Sequence, residues 1–323
     1  MAAQHTSSVK VWFDSGDPLQ LLGRKMKTIL ENSNKLFKHN DENSYYSFAH
    51  NIVYACIKSV LKDKPIHNAG NYLWAGNNER KLIYPTSTRD VFYRELIVML
   101  SQCSVMHLPA MYANHLRKTN QYDVKPTMWG NKEYVYSTEH LIAMDGKKLK
   151  KKRNGVSRLR ENKRFTIFTY DDFPERRQCF IDLVAVWRRQ LEFKGAKIYT
   201  NGYFETMLEI YPTLRECLSN LHLVGLWDKD ENRIVACNLG VQYSDKYWCS
   251  VFGYADRDSE DYTADYVWSE IAKLFKAFPY EIDGGGVNSG DTNLMFYKNR
   301  YLTDEVIPLQ IAHYMVSKKA RKK

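Results

Sequence analysis

The segment Tyr280 to Tyr301, YEIDGGGVNSGDTNLMFYKNRY, gathers the residue types that a group-transfer reaction needs. A β-run ends in Asp283, passes through Gly284, Gly285 and Gly286, and enters a stretch of helical spacing that carries Asp291, Tyr297 and Lys298. Glycines let a ligand approach the backbone closely, and the free N–H groups at a helix start favour a carboxylate or a phosphate. Acyl transfer to an amine requires an oriented amine, a stabilised oxyanion and a moved proton, so a carboxylate, a cation and backbone donors suffice. Asp283, Asp291, Lys298 and Tyr297 are therefore the candidate catalytic groups, with Gly284, Gly285, Gly286 and Ser289 as candidate substrate contacts. A tight turn followed by an ordinary helix cap is the competing reading of the same residues.

Other chemistries lack their signatures. There is no GxxxxGK[ST] phosphate loop, no strand-linked GxGxxG, no GxSxG nucleophile elbow and no HExxH motif. In Gly286 to Gly290, GVNSG, the serine falls one place late for an elbow. The six cysteines stand singly, with no CxxC pair and no histidine cluster at ligand spacing, so reduced structural thiols and no metal are expected.

Aromatic residues crowd the β-run Lys246 to Tyr254. Strict alternation would put Trp248, Ser250, Phe252 and Tyr254 on one face, opposite Tyr247 and Cys249. Trp248, Phe252 and Tyr254, with Asn238 on the preceding β-run, are candidate lining residues of a substrate pocket. Core packing is the alternative for each of them.

The formal charge is +10, and most of the excess lies in Lys147 to Arg164, KKLKKKRNGVSRLRENKR, with ten Lys or Arg against the single acid Glu161. Such a local field recruits a polyanion. Nucleic acid, DNA or tRNA, is the first expected partner and an anionic lipid headgroup the second. The candidate contacts are Lys147, Lys148, Lys150, Lys151, Lys152, Arg153, Asn154, Arg158 and Arg160, although a solvated helix face has the same composition.

The elements that must hold these groups can be read from periodicity. At 323 residues the chain is long enough for two compact units, and with 44% hydrophobic and 14% aromatic residues it can fill their cores. No apolar run reaches the roughly 18 to 20 residues needed to cross a bilayer, and Met1 to Lys10 has no apolar signal core, so a cytoplasmic protein is expected. Helical spacing covers Leu19 to Phe37, Tyr45 to Leu61, Arg89 to Cys103, Lys147 to Glu161, Phe173 to Phe193, Gly202 to Tyr211 and Thr263 to Phe278. Strand patterns fall at Asn71 to Trp74, Lys81 to Pro85, Phe165 to Tyr170, Leu221 to Trp227, Ile234 to Tyr243, Lys246 to Tyr254, Tyr280 to Asp283 and Val306 to Val316. The second half reads as an antiparallel meander closing in strand, helix, strand, helix, strand, and the first half as a worn version of that order.

The run Glu133 to Arg164, EYVYSTEHLIAMDGKKLKKKRNGVSRLRENKR, closely resembles a segment of proteins similar to the C-terminal domain of phosphatidylglycerol lysyltransferase. Tyr45 to Tyr54, Trp187 and the strand order from Leu221 to Val316 fit the same family. The resemblance implies an α/β (α+β) fold of two tandem GNAT-like lobes, each a mixed, mostly antiparallel sheet flanked by helices. On that basis residues 1–18 form an arm. Residues 19–161 form a degenerate N-terminal lobe ending in the basic segment 147–164, and residues 162–323 form the C-terminal lobe with the active site.

It also implies a transferase related to Fem and leucyl/phenylalanyl-tRNA-protein transferases, which take an amino acid from aminoacyl-tRNA. Phage-encoded relatives of such folds include amino acid:DNA transferases of thymine hypermodification, whose setting would be the host cytoplasm. Ala255 to Thr263, ADRDSEDYT, stands where acetyltransferases carry a glycine-rich coenzyme A grip, and it is acidic and glycine-free. An aminoacyl or other activated donor, with no resident cofactor, is thus expected ahead of coenzyme A. The membrane-spanning half of lysyltransferases has no counterpart, which turns the expectation away from lipid lysylation. A coenzyme-A-dependent N-acetyltransferase and a non-catalytic GNAT-like binding scaffold are the alternatives.

Overall fold

The structure, a computed structural model, describes residues 18–43, 51–63, 65–77, 79–126, 134–195, 202–283, 301 and 313–318. The first part of the chain runs α1 (Pro18–Glu31), α2 (Ser33–Asn43), α3 (Ile52–Leu61), β1 (His67–Asn68), β2 (Tyr72–Gly76), β3 (Arg80–Pro85), α4 (Arg89–Leu100), β4 (Ser104–Pro109), α5 (Ala110–Lys118) and β5 (Tyr122–Pro126). Then come β6 (Tyr134–Ser137), α6 (Thr138–Ala143), α7 (Lys150–Glu161), β7 (Phe165–Thr169), α8 (Arg177–Phe193), α9 (Tyr203–Cys217), β8 (Leu221–Asp228), β9 (Arg233–Gln242), β10 (Tyr247–Ala255), α10 (Thr263–Leu274), β11 (Tyr280–Asp283) and β12 (His313–Lys318). The expected arm and the 284–300 segment, apart from Pro18 at the start of α1, lie outside the described residues.

Two six-stranded sheets result, ordered β1-β2-β3-β4-β12-β5 and β6-β11-β10-β9-β8-β7. In each, one parallel pair is joined through a helix: β3 to β4 by α4, and β10 to β11 by α10. All other neighbours run antiparallel. The repeat that the sequence only hints at is therefore a repeat of topology, and the chain has the α/β fold of two tandem GNAT-like lobes. Strands cross between the lobes in both directions. β12, from the end of the chain, enters the first sheet between β4 and β5, and β6, from before residue 162, forms the edge of the second.

The layers follow from alternation along the strands. Ile83 of β3 and Val105 and Leu108 of β4 face one buried cluster with Phe92, Leu96 and Tyr112 of α4 and α5. Leu82 and Tyr84 face the opposite way, into a core shared with α1, α3, α8, α9 and one face of the second sheet. The far face of that sheet is covered by α6, α7 and α10. A helical layer thus lies between the two sheets and welds the lobes. Within it Asn51 caps α3, its Oδ1 accepting from the N–H groups of Val53 (2.9 Å) and Tyr54 (3.2 Å), a type of cap worth about 1 kcal/mol.

The polar stretch Asp228 to Asn232 forms the expected turn between β8 and β9. Asp228 is wholly buried. It accepts from the backbone N–H groups of Asp230 (3.0 Å) and Glu231 (3.3 Å) and from Arg164 Nε (2.8 Å) and Nη2 (2.5 Å). Burial alone would raise this carboxyl, but the Arg164 and backbone hydrogen bonds outweigh it and hold it below its ordinary value.

The strict alternation expected along β10 does not hold. Its register against β9 shifts between Ser250 and Phe252, so one extra residue reverses the facing of everything beyond it. Trp248 faces α10, whereas Phe252 and Tyr254 face the middle helical layer against Phe204 of α9.

Candidate active site at the end of the parallel strand pair

Among the described residues, β10 pairs with β11 from Tyr247 and Tyr280 to Ser250 and Asp283. Asp283 lies half-buried between Ser250 on one side and Tyr134 of β6 on the other. Its Oδ2 lies 3.5 Å from the hydroxyl of Tyr136.

Glu281, two residues earlier on β11, points to the same face by the period of two. Its carboxylate is fully buried and accepts from Trp268 Nε1 at 2.9 and 2.8 Å. Ser250 Oγ bonds Asn238 Oδ1 at 2.8 Å, which brings Asn238 of β9 to the same side of the sheet. Four aromatic rings border this group. Tyr136 lies 6.2 Å from Tyr134, 5.3 Å from Trp268 and 6.1 Å from Tyr301, and Trp268 lies 4.6 Å from Tyr301.

Helix α7 closes the group from above. Its buried stripe is Leu149, Lys152, Val156 and Leu159, the spacing of one helix face. Lys152 is therefore not in the row of surface cations that the sequence suggests. Its ammonium is buried against Asp265 in the first turn of α10, 3.1 Å from the Tyr301 hydroxyl and 4.6 Å from the centre of that ring. Asp265 in turn accepts from the Tyr301 hydroxyl. Gly155 lets the helix settle on α10, since a Cβ there would come within 2.2 Å of the Tyr262 ring. Tyr262 caps α10 from the left-handed region, at φ 72°.

The remaining basic candidates divide. Lys147, Lys148, Lys150, Lys151, Asn154 and Arg158 are exposed. Arg153 is half-buried and donates to the Met144 carbonyl at 2.6 Å. Arg160 pairs with Glu270 at 2.9 Å and lies over the Tyr266 ring at 5.6 Å.

Of the expected pocket residues, Trp248 is wholly buried, stacked on Phe275 at 4.7 Å, and donates to Thr138 Oγ1 at 3.0 Å. That makes it a core residue, with its indole N–H satisfied inside the protein. The bulge sends Phe252 and Tyr254 to the other side of the sheet from Asp283. Asp291, Tyr297, Lys298, Gly284, Gly285, Gly286 and Ser289 lie outside the described residues. Asp283, Asn238 and Trp248 are thus the expected site residues of β9, β10 and β11 that share a face, Trp248 as a core residue, and Glu281, Ser250, Tyr134, Tyr136, Asp265, Trp268 and Tyr301 join them. Alternation along YEID could have found Glu281, and the apolar stripe of α7 could have found Lys152. No local signal points from β6 to β11, 147 residues on for the Tyr136–Asp283 contact.

The loop from Asp256 to Tyr262 turns one of its acids, Asp256, inward and leaves Asp258, Glu260 and Asp261 exposed. Asp256 is buried and accepts from Gln190 (2.6 Å), Arg233 (2.5 Å) and the N–H of Asp258 (2.9 Å). A pyrophosphate would meet carboxylates there instead of a glycine-lined row of N–H groups. Among the described residues no group of three or more His, Cys, Asp or Glu is arranged to hold a metal ion. No described helix is long and apolar enough to cross a membrane.

Residues 110–282, more than half of the chain, match the family model described as phosphatidylglycerol lysyltransferase, C-terminal. The chain belongs to that family. It is, with it, a transferase of the aminoacyl-transferring kind. Solved structures agree with the fold of this lysyltransferase-family member. A conserved protein of unknown function from Bacteroides thetaiotaomicron is 18% identical over 92% of this chain and 97% of its own, with a TM-score of 0.68. L-PGS from Bacillus licheniformis is 15% identical over 97% of this chain and 95% of its own, at 0.59. The C-terminal domain of a putative lysylphosphatidylglycerol synthetase from Agrobacterium fabrum is 11% identical over 90% and 93%, at 0.57. No curated protein sequence matches the family member.

Proposed function

We propose that the protein transfers an aminoacyl group from aminoacyl-tRNA to an acceptor at the strand end around Asp283, with the tRNA phosphates docked on the exposed face of α7. The observation that carries this reading is contiguity. The helix that presents Lys150, Lys151 and Arg158 outward, with Lys147 and Lys148 exposed in the turn before it, is the one whose buried face meets Asp265 and Tyr301. A polyanionic carrier and its reactive end would need such a pair of sites side by side.

The half-buried carboxylate of Asp283 suits the ammonium of an aminoacyl group, which a charge-assisted hydrogen bond would hold. In the transfer, the acceptor's oxygen or nitrogen attacks the ester carbonyl and a C–O or C–N bond forms. The ester bond to the terminal ribose breaks, and the acceptor's proton passes to the departing ribose oxygen. Asp291, Tyr297 and Lys298 remain the expected companions from the following segment.

The family's description names phosphatidylglycerol, so an anionic lipid is the acceptor class that most needs testing. Thymine hypermodification gains no support from the family or the relatives above. The acidic fold-back at Asp256 argues against coenzyme A as donor. A salt titration of binding to tRNA, duplex DNA, coenzyme A and phosphatidylglycerol vesicles tests all four. Salt-sensitive tRNA binding is expected, with a log–log slope reduced by about 3 when Lys147, Lys148, Lys150 and Lys151 are changed to Gln. Binding of coenzyme A alone would overturn the proposal, and binding of vesicles without tRNA would make the basic face a membrane face.

A further inference from the structure

Lys152 is anomalous within its own helix. Lys150 and Lys151 before it are exposed, yet its ammonium is buried in a network with Asp265 and Tyr301. Stability does not account for it. Replacing a buried ion pair by apolar residues of similar volume is often neutral or favourable, and Lys152 sits on an apolar stripe where Leu or Met would pack. What such a pair does specify is geometry, because it fixes which groups face one another.

The groups fixed here form an unbroken chain of contacts. Lys152 holds Asp265 on the first turn of α10, and one turn on, Trp268 donates to Glu281 of β11. Lys152 also reaches Tyr301, whose ring lies against Tyr136, and the Tyr136 hydroxyl reaches Asp283. Both routes start on α7 and end on β11 two residues apart. The close seat of Gly155 on Tyr262 makes α7 and the start of α10 shift together or not at all.

We propose that Lys152 is a positioning residue that couples polyanion docking on the outer face of α7 to the placement of Asp283 and Glu281. The inference rests on the docking role given to α7 above. It adds that the docked tRNA organises the reacting site rather than merely being held beside it. Coupling of this kind needs a ligand to interact differently with two arrangements of the site, and tRNA does so by pulling α7 along its cationic face.

Hydrogen exchange on the full chain tests it, with unacylated tRNA as the probe. Saturating tRNA is expected to slow amide exchange in residues 263–268 and 280–283 by about tenfold. In Lys152→Met that slowing should fall to less than about twofold, while tRNA affinity stays within about twofold of the unaltered protein. Tyr301→Phe, which removes only a hydroxyl, should lose part of the slowing and serves if Lys152→Met does not fold. Equal protection in Lys152→Met and the unaltered protein would overturn the coupling while leaving the docking intact. Absence of tRNA binding altogether would remove both. Protection elicited by phosphatidylglycerol vesicles but not by tRNA would also overturn it, by assigning the helix to a lipid surface.

Discussion

Replacing Gly155 with alanine tests whether α7 is seated on α10 as closely as the site requires. On an exposed helix, Gly→Ala stabilises by about 1 kcal/mol through backbone entropy. Here the new Cβ would meet Tyr262 Cδ2 at 2.2 Å, Cγ at 2.6 Å and Cε2 at 2.7 Å. Real Cβ atoms do not approach so closely, and the atoms met are the near side of a ring held by a left-handed backbone, so α7 must lift. Overpacking of that kind costs about 1–3 kcal/mol in excess of the propensity gain, which leaves a net loss of about 1–2 kcal/mol. Urea unfolding followed by fluorescence would read the change. In a Tyr262→Gly background, which removes the ring and suits the positive φ, the same Gly155→Ala change should become stabilising by about 1 kcal/mol. The sign reversal, a coupling of about 2–3 kcal/mol in the double-mutant cycle, is the decisive result. If Gly155→Ala stabilises the unaltered protein as it would a free helix, the seating is wrong and the contact route from α7 to Asp283 goes with it.

Three further outcomes are expected. Asp228→Asn should destabilise in chemical unfolding, because the buried side chain loses its charge-assisted hydrogen bonds while Arg164 keeps Glu231; since the native carboxyl titrates below its unfolded value, this contribution is present above the unfolded pKa and disappears as pH falls through the folded one. His107 is held neutral, pushed down to about 4 by burial and then by Lys58, so between pH 6.5 and 4 the unfolded chain binds the extra proton and stability falls with falling pH. His107→Asn, which tolerates the left-handed φ of 56°, should flatten that dependence by up to about 3 kcal/mol in unfolding measured across the range; an unchanged slope would show that other groups carry it. Trp268→Phe should destabilise by about 1–3 kcal/mol by removing the donor to Glu281, and a variant as stable as the unaltered protein would mean that the carboxylate finds another partner.

What could be read in advance was whatever depends on local period and composition. The basic run, the strand end at Asp283 and the alternation of helix and strand from Phe165 onward are all local patterns. The misplaced residues failed for identifiable reasons. One extra residue in β10 turned Phe252 and Tyr254 away from Asp283, and a bulge of that kind leaves no mark in an alternating run of apolar residues. Lys152 was grouped with its neighbours by charge, although Leu149, Val156 and Leu159 already set it on the inner stripe. Tyr134 and Tyr136 reach the site only because β6 pairs with β11, and pairing across so long a stretch of chain is a property of the folded topology, not of either strand.

The entry of β12 into the first sheet also bears on how the chain acquires its structure. Val316 pairs with Val105 and with Val124, so β4 and β5 are made well before the strand that lies between them. During translation the nascent first sheet stands open at an interior position, with unpaired N–H and C=O groups on both sides of the gap. Such an open sheet is a template for pairing with other chains, and closing it requires a contact of very large sequence separation, which folds slowly. Completion of the first lobe therefore waits for β12, and a chain cut before residue 313 is the species expected to need a chaperone.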